Sequence, residues 1–338
     1  MAVLSRNDLV DQPAIFPYFG PVIRDQPVVA IDKVRFVGDP VAAVAAVDED
    51  DAREALDLIE VEYEELPAVF DPEEALLPTA PVLHESFPRV ASGIADTILH
   101  TEEGTNRCNH FKLRKGDVEQ GFREADQIFE HTFRSPPVQH VPLESHAAIA
   151  QVEAGRITLW AGTRTPHHTR AQLAEMFGVP LSNVRVVVHA LGGAYGAKCY
   201  PKIEPITAAS AWKTGRPIKL VLSRGVTIHL ETGFERDGPL LLQRRCLGRR
   251  LSAPDQERRL RHGRPVPIPH VKVDSYAVYT NTVPAGAFRG YGISQAAWAY
   301  ESRMDIIVEA LGIDAQALRL KNVLRDGDAF ATGETAHE

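Results

Sequence analysis

The sequence predicts a mixed α+β fold, because segments with strand and helix periodicity follow one another without regular alternation or an internal repeat. The first unit begins with an apolar segment, Val41–Val47, which we predict to be a buried strand. Asp48 follows as a good N-cap for an amphipathic helix over 52–59, and Val61–Tyr63 alternates as a second strand. The acidic residues of this unit are predicted to line a solvated face rather than an interaction tail.

A second region, from residue 116 onward, also mixes both kinds of element. Asp117 is predicted to cap a short helix, and Gln127–Phe133 to follow as a strand. A hairpin is predicted over 147–160, because a glycine-containing turn separates two β-rich segments. The remaining predicted elements are helices over 167–176, 204–213 and 294–311 and strands over 184–188 and 273–279. The last helix should stop at Gly312, a typical C-terminal residue.

The composition is that of a soluble globular protein. The chain has 338 residues, 44% of them hydrophobic, and a formal net charge of −8 from 37 Lys and Arg against 45 Asp and Glu. The net acidity argues against a nucleic-acid partner, since a nucleic-acid site needs a concentrated basic face. No stretch approaches the roughly 18 apolar residues of a membrane span, and the N-terminal residues do not resemble a signal peptide. We therefore expect a cytoplasmic protein with no membrane partner.

The chain contains three cysteines, Cys108, Cys199 and Cys246. This number supplies neither a disulfide framework nor the four thiolates of an iron–sulfur cluster. His140 and His146 bracket Glu144 and could gather at a metal, but hydrogen-bonded structural roles are the favoured interpretation, since the spacing matches no known ligand pattern. We therefore expect no metal held by protein side chains.

The chain divides into two predicted domains joined by a linker. Residues 78–115 are poor in periodic pattern and rich in Pro, Ser, Thr and Asn, as linkers commonly are. We predict a first domain over 1–90, a linker over 91–115 and a second domain over 116–338.

Within the second domain, residues 239–266 are atypical. They hold eight of the chain's 28 arginines, no lysine and two acidic residues, with neither strand nor helix periodicity. We favour a translated frameshift, because GC-rich DNA read out of frame tends to yield Arg, Pro and Gly. A basic loop that binds phosphate or an acidic partner and an unstructured loop are the alternatives.

Two loops rich in small residues could hold a ligand. Leu191–Lys198 follows a predicted strand, and its small residues let backbone N–H groups approach a ligand closely. Its spacing matches neither a P-loop nor a Rossmann fingerprint, so spacing alone favours a structural tight turn. The second loop, Pro284–Gly292, places Arg289 before a predicted helix, where an anion could bind; an ordinary strand-to-helix turn is the alternative.

Several motifs, in a consistent order, resemble the xanthine dehydrogenase/aldehyde oxidase family of molybdenum hydroxylases. Val34–Val44 and Val61–Pro67 are similar to its α/β-hammerhead domain. The motifs similar to its molybdopterin-binding domain are Gly116–Val118, Gln139–Glu144, Gly192–Lys198 and Ala287–Gly292. The resemblance covers nearly the whole chain except 239–266. It implies a partial α/β-hammerhead domain followed by the first part of a molybdopterin-binding domain.

The resemblance also implies a reaction and its cofactors. Members of this family hydroxylate a carbon next to a heterocyclic nitrogen or a carbonyl, with oxygen taken from water. The implied cofactor is molybdenum–molybdopterin, in the cytosine dinucleotide form. Electrons would leave through 2Fe-2S clusters to FAD, both carried on partner subunits, so the resemblance implies a hetero-oligomer acting on a small-molecule substrate.

The resemblance implies roles for particular positions in this sequence. The backbone of Gly193–Gly196 would face the cofactor, and Arg289 with its neighbours would line the other side. Tyr291 would stack on a flat substrate. The full set of implied cofactor-binding residues is Arg164, Gly192, Gly193, Ala194, Tyr195, Gly196, Ala287, Phe288, Arg289 and Gly290. The glutamate base is expected in a region beyond the C-terminal end, so we assign no catalytic residue here.

Some residues differ from the family pattern. Ala194 and Ala197 stand where the family loop has glycines, and Tyr195 where it has Phe. If either alanine position requires a positive φ, its methyl group costs about 1 kcal/mol or more. Arg164 stands where the family commonly has Gln. We therefore predict part of a molybdenum hydroxylase subunit that is not competent alone; a non-catalytic remnant or one half of a split subunit, binding the iron–sulfur and flavin partners, is the alternative.

Overall fold

A computed structural model describes residues 1–11, 15–21, 23–86, 102–225, 232–233, 241–243 and 267–330. The helices are α1 (Arg6–Val10), α2 (Glu49–Asp57), α3 (Pro72–Ala75), α4 (Val118–Glu124), α5 (Pro166–Phe177), α6 (Glu204–Thr214), α7 (Ile293–Leu311) and α8 (Ala315–Asn322). The strands are β1 (Ala2–Leu4), β2 (Tyr18–Phe19), β3 (Gln26–Pro27), β4 (Ala43–Ala45), β5 (Arg107–Lys115), β6 (Ala147–Glu153), β7 (Arg156–Ala161), β8 (Val184–Val187), β9 (Ile218–Val221), β10 (Thr232–Gly233), β11 (Leu241–Gln243), β12 (Val271–Val278) and β13 (Ala285–Gly286). The mixture confirms the predicted α+β fold.

The largest sheet is four-stranded, in the order β8-β7-β6-β9. The predicted hairpin forms its centre: β6 and β7 pair antiparallel across a turn in which Ala154 and Gly155 both have positive φ. Such a turn matches the right-handed twist of the strands. Helices α5 and α6 pack on this sheet, and their contact with it forms the main hydrophobic core, which includes Leu159, Leu173 and Ala208.

The N-terminal region forms a two-stranded antiparallel ribbon in which Val3 of β1 pairs with Val44 of β4. Helix α2 follows β4, and the Asp48 carboxylate accepts a hydrogen bond from the Asp51 N–H at 2.9 Å, so the predicted cap is confirmed. Two predictions for this unit are wrong. The strand in Val41–Val47 is shorter and half-buried, because helices cover only part of the ribbon. Val61–Tyr63 is exposed coil, because no described strand pairs with it.

A second sheet has the order β11-β12-β5, with β12 and β5 antiparallel along their length. Strand β5 lies inside the segment predicted as a linker over 91–115. The last nine residues of that predicted linker are therefore part of a sheet. The side chains of Cys108, Val278 and Tyr279 are buried in a core on this sheet. The strand predicted over 127–133 is wrong, since these residues form neither a strand nor a helix.

The atypical segment 239–266 lies outside the described residues except at β11, whose backbone runs parallel to β12. The frameshift prediction therefore remains untested. Within the described ranges, no helix has both the length and the apolar composition that crossing a membrane would require.

Candidate cofactor-facing site

The two predicted small-residue loops meet in the structure. Gly196 packs so closely on the second loop that a Cβ added there would lie 1.8 Å from the Ala287 carbonyl oxygen. Its φ of +116° is also a conformation that L side chains rarely adopt. On the other side of Ala287, the carbonyl oxygen lies 2.6 Å from His140 Nε2. A glycine is therefore required at 196 for the two loops to form one wall.

Together with Arg164, the loops line a cavity of about 430 Å³ that is open to solvent. Its walls are formed by residues of three segments, namely Arg164, Ala194, Tyr195, Gly196, Cys199, Arg289, Gly290 and Tyr291. Seven of these were singled out from the sequence. The other four predicted residues, Gly192, Gly193, Ala287 and Phe288, are not among the residues that line the cavity.

The cavity has a positively charged lining. Arg164 and Arg289 are both exposed, and no carboxylate is found among the described residues that line the cavity. Among the residues that the structure describes, neither guanidinium forms an ion pair or a hydrogen bond. Two unpaired guanidinium groups at one cavity favour an anionic ligand, because an arginine presents up to five donors in a fixed planar geometry.

Two tyrosines form the aromatic part of the lining. Tyr195 and Tyr291 are 48% and 47% exposed, so both rings remain accessible from solvent. Both also have positive φ, 50° and 49°, which is uncommon for residues other than glycine. Strained backbone of this kind persists only where the surrounding structure enforces it, and it is concentrated at ligand sites.

The alanines that replace family glycines cause no backbone strain. Ala194 and Ala197 are both buried, and neither has a positive φ. The positive φ values of this loop belong to Gly193, Tyr195 and Gly196 instead. The conditional cost that we assigned to the two methyl groups therefore does not arise.

Glu144 joins three segments behind the cavity wall. Its side chain accepts hydrogen bonds from Lys198 Nζ at 2.5 Å and from the Gly192 N–H at 2.9 Å. Its own N–H donates to the Gly192 carbonyl at 3.0 Å. The contact leaves no room at Gly162, where a Cβ would lie 2.5 Å from Glu144 Oε1. Since the Lys198 carbonyl accepts the Arg164 N–H at 2.9 Å, the network extends to the cavity itself.

Burial would by itself raise the pKa of Glu144, but the hydrogen bonds from Lys198 and Gly192 and the positive charge of Lys198 lower it overall. A folded-state pKa below the unfolded one stabilises the protein above the unfolded pKa, and this contribution is lost as the pH falls through the folded pKa. We therefore expect the difference in unfolding free energy between wild type and Glu144→Gln to be constant near pH 7 and to shrink below about pH 4. Urea titrations of both proteins from pH 3 to 7 would measure it. A difference that grows towards low pH would contradict the assignment.

Glu144 and His140 have hydrogen-bonding partners within the protein. In the described part of the chain, no group of three or more His, Cys, Asp or Glu side chains could hold a metal ion. Glu144 is directed to Lys198, and His140 lies against the backbone of Ala287. These contacts are the hydrogen-bonded roles that we favoured.

Cys199 is the one residue lining this cavity that the sequence analysis missed. Its Sγ lies 3.9 Å from the Tyr291 hydroxyl, and the residue is 8% exposed. Only its place directly after the 191–198 loop could have indicated it. A lone cysteine in sequence carries no such signal, because the contact depends on the meeting of two distant loops.

Comparison with known protein families identifies the domains of this chain. The model of the molybdopterin cofactor-binding domain matches residues 99–241 and 250–323, and the a/b hammerhead domain of aldehyde oxidase and xanthine dehydrogenase matches residues 1–67. The chain belongs to the xanthine dehydrogenase/aldehyde oxidase family. The predicted order, a hammerhead domain before a molybdopterin-binding domain, is thereby confirmed.

Two curated relatives of this family are similar along most of the chain. A probable xanthine dehydrogenase subunit from Bacillus subtilis is 36% identical over 92% of this chain and 42% of its own length. The nicotinate dehydrogenase large molybdopterin subunit of Eubacterium barkeri is 32% identical over 94% of this chain and 75% of its own length. The chain thus spans less than half of the first relative and three quarters of the second.

Solved structures of family members share the fold. The aldehyde oxidoreductase of Desulfovibrio gigas superposes with a TM-score of 0.82 at 24% identity, covering all of this chain and 38% of that one. Quinoline 2-oxidoreductase of Pseudomonas putida 86 gives 0.79 at 24% identity, covering all of this chain and 45% of that one. At this identity the likeness concerns the fold alone.

Proposed function

We propose that this chain is part of the cofactor-binding subunit of a molybdenum hydroxylase, and that the loops at 191–198 and 284–292 face the molybdenum–molybdopterin cofactor. The observation that carries the proposal is the close contact of these loops around a cavity lined by two unpaired guanidinium groups. The match to the molybdopterin cofactor-binding domain supports this proposal, since the matched residues include both loops.

The residues at the cavity fit the chemistry of this cofactor. Molybdopterin is a pterin heterocycle that carries phosphate, and phosphate oxygens are bound by backbone N–H groups of glycine-rich loops and by arginine. Gly193 and Gly196 have φ values of +99° and +116°, and their missing Cβ atoms let this loop pack closely against Tyr195 and Ala287. Arg164 and Arg289 add two positive charges. The cofactor requires no side-chain ligands to its metal, because the pterin itself holds the molybdenum.

When bound, the cofactor supplies the metal centre for hydroxylation of an N-heterocycle or an aldehyde with oxygen from water. This chain's contribution is to bind and orient. The backbone of residues 194–196 would hold the cofactor's anionic groups, and Glu144, which accepts hydrogen bonds from the Gly192 N–H and from Lys198, fixes the loop on either side of it. Tyr291 presents a ring on which a flat substrate can stack. We assign no catalytic residue among the residues described.

We further propose the cytosine dinucleotide form of the cofactor, partner subunits that carry 2Fe-2S and FAD, and a cytoplasmic hetero-oligomer. Support comes from the relatives, which are themselves named as subunits. The three cysteines of these 338 residues are too few for the four thiolates of an iron–sulfur cluster.

Isolation of the tagged chain from its native host tests this proposal. We expect it to copurify with pterin and molybdenum in equal amounts, with iron and flavin in partner subunits, and the complex to oxidise an aldehyde or N-heterocycle. Metal analysis, pterin fluorescence and dye reduction measure these quantities. A complex that contains iron and flavin but no pterin would contradict the proposal and support the non-catalytic alternative.

A further inference from the structure

One short segment contacts both of the loops that we propose face the cofactor. Residues 140–144, which we call the brace, begin at His140 and end at Glu144, and neither of these two residues lines the cavity. His140 Nε2 lies 2.6 Å from the Ala287 carbonyl oxygen of the second loop. At the other end of the brace, Glu144 accepts a hydrogen bond from the Gly192 N–H of the first loop at 2.9 Å. The two loops are therefore linked through this one segment as well as by their direct contact.

The backbone of the brace is strained at Val141. Its φ is +42°, a conformation that a β-branched residue rarely adopts. Val141 is 54% exposed, so the packing of its side chain contributes little to enforcing this conformation. Strained backbone persists only where the surrounding structure enforces it, so contacts of the neighbouring residues must hold the brace in place.

The Arg224 guanidinium contacts the two residues that follow Val141. It donates one hydrogen bond to the Pro142 carbonyl oxygen and another to the Leu143 carbonyl oxygen. The donors of a guanidinium lie in a fixed plane, so these bonds fix the orientation of the two carbonyl groups relative to each other. Arg224 follows β9, which pairs with β6 in the four-stranded sheet, and the brace is thereby attached to the main sheet.

We propose that Arg224 is a positioning residue: it keeps the brace in its strained conformation, and the brace sets the relative position of the two cofactor-facing loops. Arg224 itself is not among the described residues that line the cavity. Without its guanidinium, Val141 can relax to a negative φ. That rotation lies between His140 and Glu144, so it would turn the two ends of the brace relative to each other and draw the loops apart. The consequence for the cofactor rests on the proposed function.

The thiol of Cys199 reports on the separation of the loops. Its Sγ lies 3.9 Å from the Tyr291 hydroxyl, and the residue is 8% exposed. Cys108 is 3% exposed but belongs to a different core, on the β11-β12-β5 sheet. Local separation of the loops would expose Cys199 alone, whereas general destabilisation would expose both thiols.

Timed alkylation of the purified 338-residue chain with N-ethylmaleimide, followed by peptide mass spectrometry, tests the proposal. Arg224→Met should raise the labelling rate of Cys199 at least about fivefold, because two hydrogen bonds from a charged donor are lost. The labelling rate of Cys108 should change less than about twofold, because its core is separate from the loops. A matched control is Arg185→Met, which removes the same charge from an exposed position on β8 and should leave both rates unchanged.

Relief of the strain at Val141 distinguishes a positioning role from a merely structural one. In the Arg224→Met background, Val141→Gly should slow the labelling of Cys199 again by about twofold or more, because glycine adopts a positive φ without steric cost. Four results would overturn the proposal: no acceleration at Cys199, equal acceleration at Cys199 and Cys108, an Arg185→Met effect as large as that of Arg224→Met, or no rescue by Val141→Gly.

Pterin content separates this inference from the proposed function. In the complex from the native host, Arg224→Met should lower the pterin content relative to wild type, and Arg185→Met should not. A full pterin content in the Arg224→Met complex would overturn the positioning role. Unchanged labelling of Arg224→Met with pterin present in the wild-type complex contradicts this inference alone, and absence of pterin from the wild-type complex contradicts the proposed function alone.

Discussion

Replacement of Gly196 by alanine should destabilise the protein by about 3 kcal/mol, because the new methyl group combines backbone strain with overpacking. The Cβ would meet the Ala287 carbonyl oxygen at 1.8 Å and its carbonyl carbon at 2.5 Å, so the two loops would have to separate. Their separation would also open the cavity wall. We therefore expect a lower urea midpoint and, in the complex from the native host, a reduced pterin content.

Gly215→Ala is the matched control for this prediction. Gly215 also has a positive φ, of +63°, but a Cβ there would have no heavy atom within 4 Å. Its replacement by alanine should lower the unfolding free energy by about 1 kcal/mol, from backbone strain alone, and leave the pterin content unchanged. Equal losses for the two variants would show that the approach of the two loops is not a tight constraint, contrary to the structure.

Secondary-structure predictions were correct where the stabilising contacts are close in sequence and wrong where they depend on distant residues. The hairpin of β6 and β7 could be predicted because its signal is local: two β-rich segments flank Ala154 and Gly155, whose backbone supplies the turn. Val61–Tyr63 has the same alternation but no described partner strand. A strand is stabilised by its neighbours, and a single segment cannot reveal whether a neighbour exists.

Contacts between distant residues also limited what the sequence could predict about the site. The cavity walls were located because the family resemblance encodes which distant loops meet, and spacing alone favoured a simple turn at 191–198. For Glu144 and its flanking histidines, the sequence favoured hydrogen-bonded structural roles over a metal site, but it did not identify the partners of Glu144. Its observed partners, Gly192 and Lys198, lie about 50 residues further along the chain, and no local pattern indicates them. Cys199 was missed for the same reason, since its neighbour at the cavity, Tyr291, is 92 residues away in the sequence.

Removal of the Glu144 charge should destabilise the protein by about 2–3 kcal/mol, because Lys198 would keep a buried ammonium group without a carboxylate. The Lys198 side chain is 1% exposed and that of Glu144 is 35% exposed. Solvent therefore screens part of the interaction, and we expect less than the cost of breaking a fully buried pair. Glu144→Gln retains the side-chain shape and an oxygen for the Gly192 N–H, so the loss reports mainly on charge.

A double-mutant cycle separates the ion pair from the packing of the two side chains. Glu144→Gln combined with Lys198→Met should be more stable than the sum of the single losses predicts, with a coupling of about 1–2 kcal/mol, because the double variant leaves no buried charge unpaired. The control cycle uses Arg53 and Glu49, whose side chains are 71% and 77% exposed and contact at 2.5 Å. Exposed pairs contribute little, so that coupling should be below about 0.5 kcal/mol. Equal couplings in the two cycles would show that burial of Lys198 does not strengthen its interaction with Glu144, and the loop at 191–198 would then be held by its backbone contacts.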